Sequence, residues 1–326
     1  MLFSNEAPHD RMRSVVSFCF TPVQVELLTE TIERVADSLL EEMAADLRAG
    51  VPVDLVDRFA ARLPMAVVAA MMGFDREDEQ WFRQVATQIA IATDGVADAA
   101  DLAVADQAMS SLTDYFEGVL AADQADPGGA LLTVMREAFE AGTLERRELL
   151  GNLMLLLTAG FETTSFLISA SVLQAVQDGL GAALAADPAL LDGFVGEALR
   201  FHPPVHLTTR ECLQDTTAFG ATLHRGDRLV LLLAAANRDP RRFDRPSVFD
   251  PARDAVSISF GAGKHFCLGA SLARLECRVA VRTLFDRYPD LQLSEVPRWR
   301  RRLVVRGLED LPVELCHTRQ AATLAG

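Results

Sequence analysis

The sequence predicts a mainly helical chain with a small β component. Three observations carry that prediction. Apolar residues recur at three-to-four spacing through the first two thirds. Glycine and proline punctuate those runs at 50–52, 73 and 202–204. Beyond residue 203 the pattern shifts to short runs rich in Thr, Val and Leu. The 326 residues are 50% hydrophobic and 24% charged, which excludes a disordered chain and is enough to bury a core without disulfide or metal staples.

The first long helix opens at Thr21-Pro22, an N-cap followed by proline at the first helical position. Its apolar stripe is Val25, Leu28, Ile32, Val35, Leu39, Met43 and Leu47, and Gly50-Val51-Pro52 ends it. Further helices are expected over about 54–72, 76–93, 98–122, 130–141, 145–176, 179–186 and 189–201, with His202-Pro203-Pro204 stopping the last. Strands are expected over 216–219 and 228–233, and the apolar run Leu229 to Ala236 has the length of a buried strand. An Arg-, Asp- and Pro-rich loop covers 237–254, and a glycine-rich stretch at 260–269 leads into a helix over about 268–287. The tail offers strand candidates near 291–293, 301–305 and 312–316. No repeat or low-complexity linker divides the chain, so one domain over 1–326 is expected.

The net charge of −15 argues against a nucleic-acid partner. Lys264 is the only lysine among 31 basic residues. The five cysteines are scattered without C-x-x-C spacing, which argues against a zinc site or disulfide scaffold and fits a reducing cytoplasm. No apolar run reaches the length of a bilayer crossing and no signal peptide is recognisable, so no membrane span is expected.

The most informative stretch is Phe260-Gly261-Ala262-Gly263-Lys264-His265-Phe266-Cys267-Leu268-Gly269. Its glycines allow close backbone approach to a flat ligand, and it delivers Cys267 to a helix start, where free N–H donors favour a thiolate. Phe260 can shield the sulfur, and Lys264 and His265 can meet anionic groups. A lone cysteine is more often an inert core residue. Ala159-Gly160-Phe161-Glu162-Thr163-Thr164 lies within the 145–176 helix. An acid followed by threonine there reads either as a proton relay or as a kink with threonine bonded to the i−4 carbonyl. Glu197 and Arg200 form an i,i+3 pair that alone is ordinary surface decoration. His9 and Arg13 would share one helix face.

At fixed offsets, F-G-A-G-K-H-F-C-L-G resembles the haem-binding loop of the cytochrome P-450 haem-thiolate monooxygenases. The A-G-F-E-T-T and E-A-L-R segments resemble further family motifs in the family's order. So do Asn237-Arg238-Asp239-Pro240 with Phe243, Thr208-Thr209-Arg210, and His9-to-Arg13 followed by Phe20-Thr21-Pro22. The resemblance implies haem b (iron protoporphyrin IX), with Cys267 as the iron's proximal ligand. It implies an oxygen-activating groove with Glu162 and Thr163 as the proton relay, and Gly160 leaving room for a planar ligand or O2. His9, Arg13, Arg210 and His265 would meet the haem propionates and Phe260 would flank the sulfur. Glu197, Arg200 and Arg253 would form a buried structural trio beneath the thiolate loop.

The implied fold is the cytochrome P-450 fold lacking its N-terminal helices and part of its β-sheet. The implied reaction inserts one oxygen atom from O2 into a hydrophobic small molecule, with electrons from NAD(P)H through ferredoxin reductase and ferredoxin. Leu155, Leu156 and Ala159 are expected to face an apolar ligand. Arg274, Arg278 and Arg282, with Lys264, are expected to form a basic docking patch. Alternatives are a non-catalytic helper of a partner enzyme, a degenerate fragment, or a peroxide-driven variant. Helpers tend to lose the iron ligand and peroxide-driven relatives usually replace the acid–threonine pair; this chain keeps both. The Arg- and Ala-rich composition suggests a high-GC bacterium and a role in secondary metabolism, tailoring a polyketide or terpenoid.

Overall fold

The computed structural model describes residues 1–74, 78–92, 94, 97–121, 129–254 and 256–316. Its helices are α1 (Glu6–Ser17), α2 (Pro22–Glu26), α3 (Thr29–Arg48), α4 (Arg62–Met72), α5 (Glu79–Ile91), α6 (Ala99–Ala121), α7 (Ala130–Glu140), α8 (Arg146–Gln177), α9 (Gly181–Ala186), α10 (Pro188–Phe201), α11 (Leu233–Ala236) and α12 (Ala270–Arg287). The strands are β1 (Val53–Asp54), β2 (Thr208–Glu211), β3 (Thr216–Ala218), β4 (Ala221–Leu223), β5 (Arg228–Leu231), β6 (Leu291–Leu293) and β7 (Pro312–Leu315). They form an antiparallel sheet in the order β1-β7-β6 and two antiparallel pairs, β2 with β5 and β3 with β4.

Helix α8 is the axis of the molecule. A capping box between Glu145 and Glu148 starts it. Leu153, Leu157, Phe161, Ile168 and Val172 then bury against a shell that includes α4, α5, α10 and α12. Contrary to the expectation from sequence, this helix is long and apolar enough to cross a bilayer, with an 18-residue window of mean hydropathy 1.5. In the structure 61% of that window is buried inside the protein, where α8 serves as a core helix.

Several expected elements need correction. The helix expected from Thr21 through Leu47 is two helices, α2 and α3, separated at Leu27–Leu28. Both separating residues keep right-handed helical backbone angles, so the apolar stripe runs on in register and periodicity could not reveal the break. The helix expected over 54–72 begins as β1 and a π-helical turn, Val56–Ala60. Pro64 explains this: it lacks an N–H and its ring crowds the Ala60 carbonyl. The run Leu229–Ala236 is not a buried strand. It leaves β5 at Leu231 and turns into α11, with Val230 54% and Leu232 57% exposed. Residues 301–305 form no strand beyond a Val205–Val305 bridge. The N–H groups of Leu303 and Val304 donate instead to the Asp94 carboxylate. The strand expected over 216–219 is one arm of a β3–β4 hairpin; Phe219 and Gly220 both take positive φ at its turn, the two-residue geometry that matches strand twist. The other expected elements lie close to those observed; expected boundaries at 76, 93 and 122 lie outside the described residues.

One core residue predicts a pH effect. Glu276 on α12 is fully buried, one carboxylate oxygen has no partner among the described residues, and burial pushes its pKa up to about 8. The folded chain therefore holds a proton that the unfolded chain gives up above its ordinary value of 4.5. Stability is lost as pH rises from there to about 8. Glu276→Gln should be more stable than the parent to urea at pH 8, by on the order of 2–5 kcal/mol, with the gain fading toward pH 4.5. A gain independent of pH would contradict this.

Candidate functional site

The cysteine loop rests on a buried polar floor. Arg200, on α10 and fully buried, donates twice to the Glu197 carboxylate, at 2.7 and 2.6 Å. Its remaining donors reach the carbonyls of Asn237, Pro246 and Val248. Arg253 completes the trio, donating from Nε to Glu197 Oε1 at 3.1 Å. Asn237, also fully buried, accepts from the Ile258 N–H and donates to Ser259 Oγ, which donates to the Leu199 carbonyl. The chain entering the loop is thereby pinned to the end of α10.

The loop then turns at Gly261 and Gly263, both at positive φ, and closes with the Cys267 N–H donating to the Phe260 carbonyl at 2.9 Å. Helix α12 begins three residues after Cys267. Cys267 remains solvent-accessible, whereas Cys19, Cys212 and Cys277 are buried. The surrounding protein pushes its thiol pKa up by desolvation; a Gly269 backbone hydrogen bond, Arg13 and Arg274 pull the other way. The Arg274 guanidinium lies 4.8 Å over the Phe260 ring, so Phe260 packs between the loop and α12.

Around one side of this loop the structure gathers four basic groups. His9 on α1 is 1% exposed, its ring 4.4 Å from that of His265. Arg13, one turn further on, donates to the Phe266 carbonyl at 2.8 Å, tying α1 to the loop. The pKa of His265 is lowered first by desolvation, then by the charges of His9, Arg210 and Arg13. Arg210, on β2, donates to the Thr209 carbonyl at 2.8 Å. Asp10 is already shared by Lys264, at 2.6 Å, and His9 Nδ1, at 3.0 Å. His9 Nε2 is buried with no partner among the described residues. An accessible sulfur beside a basic cluster with a buried nitrogen lacking a partner among the described residues fits a flat, dianionic haem held by its sulfur ligand and its propionates.

On α8, Thr163 Oγ1 donates to the Ala159 carbonyl at 2.9 Å, the i−4 bond. Ala159 is exposed and Leu155 and Leu156 are half-buried, so this face of the central helix borders open space. Two neighbours have surroundings that the sequence does not show. Gly160 also packs against α4, where a Cβ would meet Val68 Cγ2 at 2.9 Å. Glu162 is held by two arginines. It is 5% exposed, and its Oε1 accepts from Arg300 and Arg302, each at 2.8 Å. A carboxylate that deep requires paired cations. Burial still dominates, raising its pKa against the pull of Arg302 and Arg300. Sequence reasoning misses Arg300, Arg302 and Asp94; the one signal is a run of three arginines where a half-buried strand is expected.

The basic stripe on α12 has partners that the sequence does not show. Arg278 pairs with Asp192 and Arg282 with Glu33, Arg274 stacks on Phe260, and Lys264 pairs with Asp10. Three of the four thus share their charge with an acid, and Arg274 has no acidic partner among the described residues.

Comparisons with known proteins agree with this geometry. The family profile described as Cytochrome P450 matches residues 183–300. The chain is 35% identical to "Polyketide biosynthesis cytochrome P450 PksS" of Bacillus subtilis, over 97% of this chain and 77% of that protein. It is 37% identical to "Cytochrome P450 monooxygenase PikC" of Streptomyces venezuelae, over 100% of this chain and 78% of that protein. Among solved structures, P450BioI in complex with hexadec-9Z-enoic acid ligated acyl carrier protein superposes with a TM-score of 0.87 at 33% identity, covering 96% of this chain and 81% of that one.

Proposed function

Because this chain belongs to the cytochrome P450 family of oxidoreductases, we propose that it inserts one oxygen atom from O2 into a hydrophobic small molecule, using electrons from NAD(P)H delivered by ferredoxin reductase and ferredoxin. The observation that carries this reading is the accessible Cys267 sulfur beside the basic cluster whose buried His9 Nε2 lacks a partner among the described residues. Bound haem supplies the activation of O2. Cys267 would hold its iron, and His9, Arg13, Arg210 and His265 its propionates. Glu197, Arg200 and Arg253 position the loop that presents the sulfur.

The relay falls to α8. Thr163, its hydroxyl fixed by the Ala159 carbonyl, offers Oγ1 as an acceptor at the edge of the open face. Glu162, next in the chain, carries a carboxyl whose raised pKa favours holding a proton for transfer. The polyketide-biosynthesis relative supports a place in secondary metabolism, and the relative solved with an acyl-loaded carrier protein supports an apolar substrate.

Thr163→Ala tests the relay. NAD(P)H and O2 consumption should continue while product formed per NAD(P)H falls several-fold or more, the balance appearing as reduced oxygen species. Unchanged coupling would contradict the role given to Thr163.

A further inference from the structure

We infer that the substrate carries an anionic group, a carboxylate being the simplest, which docks on the Arg300-Arg301-Arg302 run beside Glu162. The inference deepens the monooxygenase reading and rests on it. A cavity of about 380 Å³ is lined by Thr87, Arg300, Arg301, Arg302 and Glu309. Three of its five walls are guanidinium groups. The single lining acid, Glu309, also lies 3.7 Å from Arg298 outside the lining.

The cavity adjoins the relay. Arg300 and Arg302 each spend one nitrogen on the same oxygen of Glu162, and Glu162 directly precedes Thr163 on α8. Each guanidinium is a fork with five donors, so most of their N–H groups remain uncommitted. None of those nitrogens is buried without a partner, so they face accessible space. Arg301 is exposed and makes no side-chain hydrogen bond or ion pair among the described residues. The loop is anchored on both sides: the Asp94 carboxylate accepts from the N–H groups of Leu303 and Val304, and the Arg300 guanidinium lies 5.0 Å over the Phe166 ring.

Planar forks with free donor pairs suit a carboxylate better than a hydroxyl or carbonyl, because two parallel N–H bonds add geometric fit to charge. Arg300 and Arg302 are half-buried, so their bonds are less screened than at an open surface, and exposed Arg301 adds to the charge. An apolar body would then lie toward Ala159, Leu155 and Leu156, and the anion would fix which part of it reaches the open face of α8.

The test is calorimetric titration of the haem-loaded protein with myristate and, separately, methyl myristate, which share the chain and differ in charge. The carbon monoxide spectrum is recorded on the same samples. Myristate should bind at least tenfold more tightly. The double variant Arg301→Gln/Arg302→Gln should lose that preference while keeping methyl myristate affinity within about threefold, and Arg301→Lys/Arg302→Lys should retain most of it. Equal affinities in the parent, no binding of myristate, or a preference that survives the glutamine pair overturns the inference. A normal carbon monoxide band with no anion preference removes this proposal alone. Loss of the band with the preference intact removes the monooxygenase reading and leaves the anion site standing.

Discussion

Cys267→Ala should abolish the reduced carbon monoxide band, expected at about 450 nm for a thiolate-ligated haem, while leaving the chain folded. No other cysteine can take its place. Cys19, Cys212 and Cys277 are buried, and the Cys277 thiol is pushed up to about 12 by its surroundings. Cys316 is exposed but hydrogen-bonds through its N–H to Asp290, beyond the end of α12 and away from the loop. The fold should persist because the Cys267 side chain is accessible, so truncation opens little core, and its N–H bond to Phe260 does not depend on the sulfur. A melting temperature within a few degrees of the parent with no band is the expected pair of results. A band that survives would refute Cys267 as ligand.

Arg200→Ala should have the largest effect on stability. The fully buried guanidinium satisfies both oxygens of Glu197 and the carbonyls of Asn237, Pro246 and Val248. Removing it takes the donor from the Asn237 and Pro246 carbonyls and two of the four hydrogen bonds from Glu197, which keeps the Asp250 N–H and Arg253. Arg253, which reaches Glu197 through a single Nε bond at 3.1 Å, covers only part of the loss. Breaking a buried pair from one side costs about 3–5 kcal/mol. Urea denaturation should therefore show a midpoint lowered by an amount equivalent to that cost, and haem uptake should fall with it, since the floor fixes the sulfur loop. A loss under about 1 kcal/mol would mean that the trio is dispensable.

Features written in contiguous residues are legible in the sequence alone. Proline at 22 and glycine at 73 mark real helix boundaries, and the glycines at 261 and 263 mark real turns. The offset of Cys267 from Phe260 and Gly261 identifies the loop. Pairs spaced along one helix, such as Glu197 with Arg200, can be named, but only the fold shows that they are buried.

What the sequence hides depends on contacts between distant segments. Glu162 meets Arg300 and Arg302 across nearly half the chain, so its environment cannot be read from the apolar helix around it. Gly160 reads as clearance for a ligand; that Val68, on a different helix, also lies against it is visible only in the fold. The arginine stripe on α12 has helical spacing, but the acids that pair with Arg278 and Arg282 come from α10 and α3. Residues 301–305 fail as a strand for a similar reason: a single distant carboxylate, Asp94, takes N–H groups that a neighbouring strand would have bonded.

Titrating the unmodified chain with haem tests the central claim most directly. Stoichiometric uptake of one haem per chain, followed on reduction under carbon monoxide by a band at about 450 nm, is the predicted result for a sulfur-ligated haem seated on Cys267. Failure to take up haem, or a carbon monoxide band at the shorter wavelength of a nitrogen-ligated haem, would contradict it.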